Sequence, residues 1–342
     1  MGRGQASAAD HGRQAVHILI TGAAGMIGRK LTERLAADGA LNGTEIRKLS
    51  LVDVVVPARP AAFGGRVKTW AADLSDTKET AKAVAERPDV IFHLAAIVSG
   101  EAELDFDKGY SINLLGTLGL LEAIRRTGDG YHPKLVFASS IAVYGAPFPD
   151  AIPDDFHLTP LTSYGTQKAI GELLLADYTR KGFLDGVGIR LPTICVRPGK
   201  PNKAASGFFS SIIREPLAGQ EAVLPVPESV RHTHASPRAA VGFFIHAAGL
   251  TREQLGPRVN LAMPGTSATV GEQIDSLRRI AGPHVAARIR REPDPMIMRI
   301  VDGWAQRIEA QRARELGFRA EESFDEIVRA HIEDELGGRI AA

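Results

Sequence analysis

The chain has 342 residues, of which 44% are hydrophobic and 24% charged, an ordinary composition for a globular protein with a substantial core. Its 41 Lys and Arg residues balance 40 Asp and Glu residues, and a net charge of +1 argues against nucleic acid or an anionic membrane as a partner. The single cysteine, Cys195, excludes an intramolecular disulfide and is compatible with a cytoplasmic location.

Apolar strands alternate with helical patterns through the first half of the chain, after a small, polar stretch over 1–15 that is predicted to be a disordered tail. The predicted strands are VHILIT (16–21), KLSLVDVVV (48–56), RVKTWAA (66–72), DVIFHLAA (89–96), KLVFASS (134–140) and GVGIRLPTI (186–194). The predicted helices cover 26–38, a segment before the fourth strand, about 102–127 and about 162–181. This alternation predicts an α/β fold with a doubly wound parallel sheet of the Rossmann type.

The sequence changes in character after Ile194. A Pro-, Gly- and Lys-rich segment leads into a mixture of helices and short strands, and the remainder from 268 to 336 is mostly helical and charged. We therefore predict a Rossmann domain over 16–196, with 237–263 returning to it. The segments 197–236 and 264–342 are predicted to form a smaller, mostly helical C-terminal substrate lobe.

A glycine-rich turn follows the first strand and opens the first helix. Its sequence is TGAAGMIG (21–28), with the spacing GxxGxxG. Glycines permit a tight turn and let backbone N–H groups approach a pyrophosphate, while the helix N-terminus supplies a favourable dipole. Such a triplet alone is weak evidence, but its place between strand and helix predicts a dinucleotide site. The predicted cofactor contacts in this turn are Gly22, Gly25, Met26, Ile27 and Gly28.

Asp53 lies near the end of the second predicted strand, where a carboxylate can accept hydrogen bonds from the adenosine ribose. A carboxylate there repels a 2′-phosphate, which favours NAD over NADP, although Arg59 keeps NADP open as an alternative. Asp73 and Leu74 follow the third strand. They are predicted to contact the adenine edge, or alternatively to cap the following helix.

Small side chains close the fourth predicted strand, where Leu94, Ala95 and Ala96 suit close packing against the cofactor. Ser99 follows them, and we expect it either to line the substrate pocket or to form a plain Ser-Gly turn.

Tyr164 and Lys168 stand four residues apart, on one face of a predicted helix. A nearby ammonium and a cationic nicotinamide both favour phenolate, so we expect the pKa of Tyr164 to lie below its usual value of about 10. Tyr164 then accepts the proton of an alcohol as hydride leaves the same carbon, and Lys168 holds the nicotinamide ribose. Either Ser139 or Ser140, at the end of the fifth strand, is placed to orient the substrate oxygen.

Taken together, these segments resemble the extended short-chain dehydrogenase/reductase superfamily. The resemblance rests on TGAAGMIG (21–28), Asp53, ADLSD (72–76), HLAA (93–96), INLLGT (112–117), SSIAVYG (139–145), YGTQK (164–168) and LGFRA (316–320). It implies that Ser140 completes a catalytic trio, that Asn113 supports the site and that Thr193 contacts the cofactor. It also implies NAD as cofactor and a homodimer formed through the helices near 102–127 and 162–181.

The superfamily contains epimerases, dehydratases and dehydrogenases. The segments 95–110, 189–202 and 228–243 are similar to members that oxidise a small sugar acid, D-erythronate, to its 2-keto acid with NAD. Pro192-Thr193 stand where sugar-nucleotide enzymes carry an asparagine, and Ile141-Ala142 follow Ser140 where dehydratases carry an acid. The predicted function is therefore oxidation of a small sugar acid. The alternatives are a nucleotide-sugar 4-epimerase and a non-catalytic dinucleotide sensor.

A sugar acid requires a cation for its carboxylate. The candidates are Arg197, Lys200, Lys203, Arg214 and Arg231. We favour Arg231, because an arginine at its position often enters the pocket in relatives and its planar fork suits a carboxylate. His232 and His234 are two residues apart and are expected on opposite faces of a strand, so no metal site is predicted.

Overall fold

The computed structural model describes residues 15–199 and 206–341. The predicted N-terminal tail therefore lies, apart from its last residue, outside the described residues. Strands and helices of the described residues are numbered separately in chain order. The strands are β1 (Val16–Thr21), β2 (Ala40–Leu41), β3 (Thr44–Asp53), β4 (Arg66–Ala71), β5 (Val90–His93), β6 (Lys134–Ser140), β7 (Asp185–Leu191), β8 (Thr193–Ile194), β9 (Ala222–Leu224), β10 (Arg231–Ala235), β11 (Asn260–Ala262), β12 (Thr266–Thr269) and β13 (Ile289–Arg291).

The α-helices surround these strands, and none in the described residues is long and apolar enough to span a membrane. They are α1 (Met26–Asp38), α2 (Thr77–Val84), α3 (Ser99–Leu104), α4 (Phe106–Gly109), α5 (Gly116–Thr127), α6 (Ser163–Arg180), α7 (Gly207–Leu217), α8 (Pro237–Gly249), α9 (Arg252–Leu255), α10 (Val270–Ala281), α11 (Pro283–Ala286), α12 (Pro295–Asp302), α13 (Gln311–Glu315) and α14 (Phe324–Leu336). A π-helix, Tyr110–Leu115, joins α4 to α5, and a short 3₁₀ turn, Ile141–Val143, follows β6.

The large sheet has the strand order β11-β7-β6-β5-β1-β3-β4, with all neighbours parallel, and β2 pairs antiparallel with β3. The predicted doubly wound parallel sheet is thus confirmed. β1 lies between β3 and β5, so the direction of winding reverses there. Ligands of such sheets bind beyond the carboxyl ends of the strands at this reversal. The fold therefore places a site after β1 and β5.

The sheet is buried on both faces, because alternate side chains of a strand point to opposite sides. Ile18 and Ile20 of β1 join the core under α1 and α8, whereas Leu19 joins the core under α2, α5 and α6. All three side chains are fully buried. Helices on both faces explain why the strands are continuous apolar runs.

A separate hydrophobic cluster forms the smaller lobe from α7, α10, α14 and their neighbours. Its strands form a sheet of order β12-β10-β8 and a parallel pair of β9 with β13. Between these lobe segments the chain returns to the large sheet, since α8 packs on α1 and β11 pairs with β7. The domain boundaries at 196, 237 and 263 stay a prediction.

Four predicted elements differ from the structure. The fourth strand ends at His93, so Leu94, Ala95 and Ala96 lie in the segment that follows it. The second strand ends at Asp53, and Val54–Val56 lie exposed, because the Asp53 carboxylate accepts the N–H of Val54 and turns the chain. The sixth strand is interrupted at Pro192, which has no N–H for the ladder. The helix predicted near 102–127 breaks at Asp105, whose side chain accepts the N–H of Lys108 and caps a new helix.

Candidate active site

The glycine turn packs tightly against the end of β5. Gly22 has φ +71°, and a Cβ there would lie 2.7 Å from the backbone of Leu94 and Ala95. A Cβ on Gly28 would lie 2.2 Å from the carbonyl oxygen of Gly22. α1 begins directly after Gly25 and has no side-chain cap, so the backbone N–H groups of its first turn are available to an anion.

A cavity of about 340 Å³ opens over this turn. Its lining includes all five residues predicted from the glycine motif, namely Gly22, Gly25, Met26, Ile27 and Gly28. An uncapped helix N-terminus beneath a cavity of this size fits the pyrophosphate of a dinucleotide.

Asp53 ends β3 beside the turn. One carboxylate oxygen accepts the N–H of Ala24 at 2.9 Å, and the other accepts the N–H of Val54 at 2.7 Å. Each oxygen retains a second lone pair with which to accept a ribose hydroxyl. The ribose contact itself stays a prediction. Arg59, the residue that kept NADP open, is exposed.

The two residues predicted to touch the adenine edge differ in exposure. Asp73 is exposed and accepts the N–H of Ser75 at 2.9 Å, whereas Leu74 is buried in the core. The cap of α2 is Asp76, which accepts the N–H of Lys78 at 2.8 Å. Asp76 therefore caps the helix in place of Asp73 or Leu74. The adenine contact of Asp73 and Leu74 stays a prediction.

Ser140, Tyr164 and Lys168 line a second cavity, of about 320 Å³, together with Leu94 and Ala96. The parallel sheet produces this convergence, because Ser140 ends β6 while the first turn of α6 carries Tyr164 beside the same edge. Thr162 caps α6 by accepting the N–H of Gly165 at 3.0 Å and so fixes where the helix begins.

The polar atoms of the trio have defined partners. The Ser140 hydroxyl oxygen accepts the N–H of Ala142 at 3.1 Å, and the same hydroxyl forms a hydrogen bond with Tyr164. The ammonium of Lys168 donates to the carbonyl of Ala138 at 2.8 Å and retains two more N–H donors. Ser139, the other candidate, is buried and donates to Glu172 at 2.5 Å.

The protonation of Tyr164 differs from our expectation. Burial raises the pKa of Tyr164, while the charge of Arg197 and a hydrogen bond with Ser140 act in the opposite direction. Burial also lowers the pKa of Lys168 to about 8, against the attraction of Glu172. The predicted decrease in the pKa of Tyr164 is therefore wrong for this structure, because removal from water disfavours phenolate more than the nearby groups favour it.

Asn113 lies one layer behind the cavity, in the π-helix, and is buried. Its amide oxygen accepts the N–H of Ile97 at 2.9 Å, and its NH₂ donates to Gln167 of α6 at 2.7 Å. These bonds tie the segment after β5 to the helix that carries Tyr164. The supporting position that we predicted for Asn113 agrees with this geometry.

A buried ion pair lies beneath the trio. Arg190 of β7 contacts Glu172 of α6 through several hydrogen bonds, of which the shortest is 2.7 Å, and donates to the Tyr144 hydroxyl at 2.8 Å. Glu172 follows Lys168 by one helical turn. The pair therefore connects α6, β7 and the segment after Ser140 in one polar network.

This geometry can be compared with known proteins. The profile described as "NAD dependent epimerase/dehydratase family" matches residues 18–233. The chain belongs to this family. The chain is 46% identical to the D-erythronate dehydrogenase of Cupriavidus necator over 323 residues, covering 93% of this chain and 98% of that one. The corresponding enzyme of Haemophilus influenzae is 42% identical, with 93% and 99% covered.

A solved structure is more similar still. It is described as the nucleoside-diphosphate-sugar epimerase from Agrobacterium tumefaciens, is 67% identical, has a TM-score of 0.94 and covers 96% of each chain. Membership of the family confirms the predicted superfamily, NAD as the cofactor and an oxidoreductase that acts on a CH–OH group.

Ala95 packs against Gly22 and lines neither cavity. Of the other predicted site residues, two lie at the 320 Å³ cavity and one does not. Ser99, at the start of α3, and Thr193 line it, and the Thr193 hydroxyl is 2.7 Å from a ring nitrogen of His232. Arg231 does not line it, because its guanidinium pairs with Glu272 at 3.2 Å. The structure therefore does not support Arg231 as the carboxylate ligand. Lys200 and Lys203 lie outside the described residues.

The prediction that His232 and His234 lie on opposite faces of a strand is wrong. Side chains two apart in a strand share a face, and the rings of His232 and His234 lie 5.5 Å apart against Phe209. Burial lowers the pKa of His232 to about 4, so the imidazole is neutral. Within the described residues no group of three His, Cys, Asp or Glu side chains is arranged for a metal ion.

The sequence did not single out three residues of the cavity, His232, Trp304 and Arg197. His232 was considered only as a metal ligand, Trp304 was not considered, and Arg197 was named as a candidate without being preferred. Trp304 follows α12 in the distant C-terminal segment, and only the packing of the lobe brings it to the cavity, beside His232. A lone Trp in a charged helical segment gave no local signal for this contact.

Proposed function

We propose that the protein oxidises a small sugar acid with NAD, and that its substrate is D-erythronate, which becomes 2-dehydro-D-erythronate. The observation that carries this proposal is the composition of the 320 Å³ cavity. It holds Ser140, Tyr164 and Lys168 with a second cation, Arg197, and among the described residues no Asp or Glu lines it. A cationic cavity suits a carboxylate substrate, and oxidation of an alcohol requires no carboxylate from the protein.

The residues divide the reaction as follows. Ser140 donates to the substrate oxygen, while its own oxygen accepts the N–H of Ala142. Tyr164 accepts the hydroxyl proton, and Arg197 and Ser140 favour its phenolate against the larger opposing effect of burial. Lys168 is held by Ala138 and has two donors left for the nicotinamide ribose. NAD, when bound, would supply the hydride acceptor for the carbon whose hydroxyl gives its proton to Tyr164.

The second candidate is a nucleotide-sugar 4-epimerase, which the description of the Agrobacterium structure favours. An epimerase must enclose a nucleoside diphosphate as well as the sugar. The cavity of about 320 Å³ adjoins the cavity over the glycine turn, since Ile27 and Leu94 line both, so a bound nicotinamide would take part of its volume. Near-complete coverage of the two D-erythronate dehydrogenases supports the smaller substrate. A non-catalytic sensor is disfavoured because Tyr164 and Lys168 share the cavity.

The test is a substrate screen followed at the NADH absorbance band. D-erythronate, L-threonate and other C3 to C6 aldonates are offered with NAD and NADP in parallel. We expect D-erythronate with NAD to give the highest kcat/KM. If none of these aldonates is oxidised, the proposal is overturned. Interconversion of UDP-glucose and UDP-galactose without net NADH, measured by chromatography, establishes the epimerase instead.

We also propose that the protein is a homodimer that pairs through α3, α4, α5 and α6. Leu104, Phe106 and Leu173 on these helices are more than half exposed, an apolar arrangement that supports a partner surface. Light scattering after gel filtration should give twice the monomer mass, and Leu173→Glu should shift it to the monomer. A wild-type protein with the mass of a monomer would contradict the proposal. The cytoplasmic location stays a prediction.

A further inference from the structure

Arg197 is a half-buried cation without an acidic partner among residues 15–199 and 206–341. It follows β8, and its guanidinium donates to the carbonyl of Ile194 at 3.1 Å and to the Ser206 hydroxyl at 3.4 Å. Both partners are neutral, and burial lowers the pKa of Arg197. A desolvated guanidinium with neutral partners is poorly compensated, so an anion that enters the cavity gains a strong charge-assisted contact.

The other candidate cations of the described chain are occupied. Arg231 pairs with Glu272, and Arg214 pairs with Glu215 at 2.5 Å. Lys168 donates to the carbonyl of Ala138 in the catalytic trio. Arg197 is therefore the cation best placed to receive a ligand anion inside the cavity.

We infer that Arg197 binds the carboxylate of the substrate. The inference rests on the proposed function and adds to it the residue that recognises the acid. Arg197 and Tyr164 line the same cavity, together with Ser140 and Lys168. A carboxylate held by Arg197 therefore lies in the cavity that contains the catalytic tyrosine.

A second anion has to be considered, because Arg197 also borders the cavity above the glycine turn. The shared chemistry is an oxyanion, supplied either by the substrate carboxylate or by the cofactor pyrophosphate. The pyrophosphate already has the uncapped N-terminus of α1. Arg197 also lines the cavity that holds Ser140, Tyr164 and Lys168, which favours the carboxylate.

The test compares D-erythronate with its neutral amide in the wild type, Arg197→Met and Arg197→Lys. We expect Arg197→Met to lower the ratio of kcat/KM for acid over amide at least 100-fold, and Arg197→Lys to keep it within about 10-fold. The ratio cancels any effect on Tyr164 that both substrates share. Arg231→Met removes an arginine outside the cavity and should leave the ratio unchanged.

Direct binding separates the two anions and the two proposals. Calorimetry measures the Kd of NAD, and then the Kd of D-glycerate for the enzyme–NADH complex. Loss of D-glycerate binding in Arg197→Met, with the Kd of NAD within about threefold, supports the inference even if no aldonate is oxidised. A weakened NAD complex with an unchanged acid-to-amide ratio assigns Arg197 to the pyrophosphate and overturns the inference. An unchanged ratio with unchanged NAD binding overturns it as well.

Discussion

The carboxylate of Asp53 accepts a hydrogen bond from the backbone N–H of Ala24, 2.9 Å away inside the glycine turn. The residue expected to bind the adenosine ribose therefore also fixes the loop that faces the pyrophosphate. Its charge and its hydrogen-bonding geometry have separate consequences, and a substitution that changes only one of them can distinguish the two.

Asp53→Asn keeps an acceptor oxygen for Ala24 but removes the negative charge and the acceptor of the Val54 N–H. Because a carboxylate repels the 2′-phosphate, we expect the ratio of kcat/KM for NADP over NAD to rise by about tenfold or more. Steady-state kinetics with both cofactors measure this ratio. Glu45→Gln, at the opposite end of β3, should leave it unchanged, and an unchanged ratio in Asp53→Asn would contradict the assigned role.

Gly28→Ala should damage the cofactor site. Its new Cβ would lie 2.2 Å from the carbonyl oxygen of Gly22, so the turn must shift. We expect NAD affinity to fall at least tenfold and stability to fall by about 1–3 kcal/mol. Gly242→Ala is the control, since nothing lies within 4 Å of its Cβ in α8, and it should stabilise by about 0.5–1 kcal/mol. Calorimetry and urea unfolding measure both quantities.

Tyr164→Phe should lower kcat for alcohol oxidation by roughly 10²–10⁴, because the proton acceptor is lost while the ring is kept. The Kd of NAD should change little. Tyr131→Phe is a matched control, since its hydroxyl donates to the carbonyl of Pro88 at the other edge of the sheet. Near-normal turnover by Tyr164→Phe would show that another group accepts the proton.

The buried pair Glu172–Arg190 should behave as a unit. Glu172→Ala leaves the Arg190 charge buried and unpaired, and we expect a loss of about 3–5 kcal/mol in the free energy of unfolding. The double variant Glu172→Met with Arg190→Met should recover most of this loss. Equilibrium unfolding of both single variants and the double variant gives the coupling energy between the two side chains. Strictly additive losses in the free energy of unfolding would show that the two residues do not act together.

His331 should make the protein sensitive to acid. It is buried in α14, neither ring nitrogen has a partner in the described chain, and burial lowers its pKa to about 4. The nearby charges of Arg214 and Lys30 lower this pKa further, while Glu335 and Asp334 oppose them.

Because the unfolded chain binds the proton first, near pH 6.5, the stability that neutral His331 contributes is present above that pH. It is lost as the pH falls toward 4. At pH 5 the loss is about 2 kcal/mol, and His331→Leu should remove it. Urea unfolding at pH 7.5 and 5.0 tests this, with exposed His132→Gln as the control. An unchanged pH dependence in His331→Leu would disprove it.

Local sequence patterns were sufficient to predict most strands and helices of the cofactor-binding half of the molecule. Helix α1 begins and ends as predicted, at Met26 and Asp38, because glycines flank it on both sides. The β-branched Val54–Val56 suggested more strand than exists, because strand propensity does not register the Asp53 turn.

The substrate half depended on contacts between distant segments. Arg197 and Arg231 have similar chemistry in the sequence, and only the position of Glu272 shows which of them is occupied. The position of Trp304 at the cavity is likewise visible only in the folded structure, because this residue comes from the lobe. Pairing of charges across the fold has no periodic signature, so the sequence alone could name the candidates but not choose among them.

The core of the smaller lobe joins the apolar face of α7 to Phe324, Ile327 and Val328 of α14. During synthesis, strands β1 to β7 and the glycine turn emerge more than a hundred residues before that partner helix. A nascent or truncated chain that ends before Phe324 thus has a complete parallel sheet but lacks the apolar side chains that α14 adds to the core of the lobe. Shortening at the C-terminus should consequently expose apolar surface of that core, although the deleted residues lie far from the catalytic tyrosine in sequence.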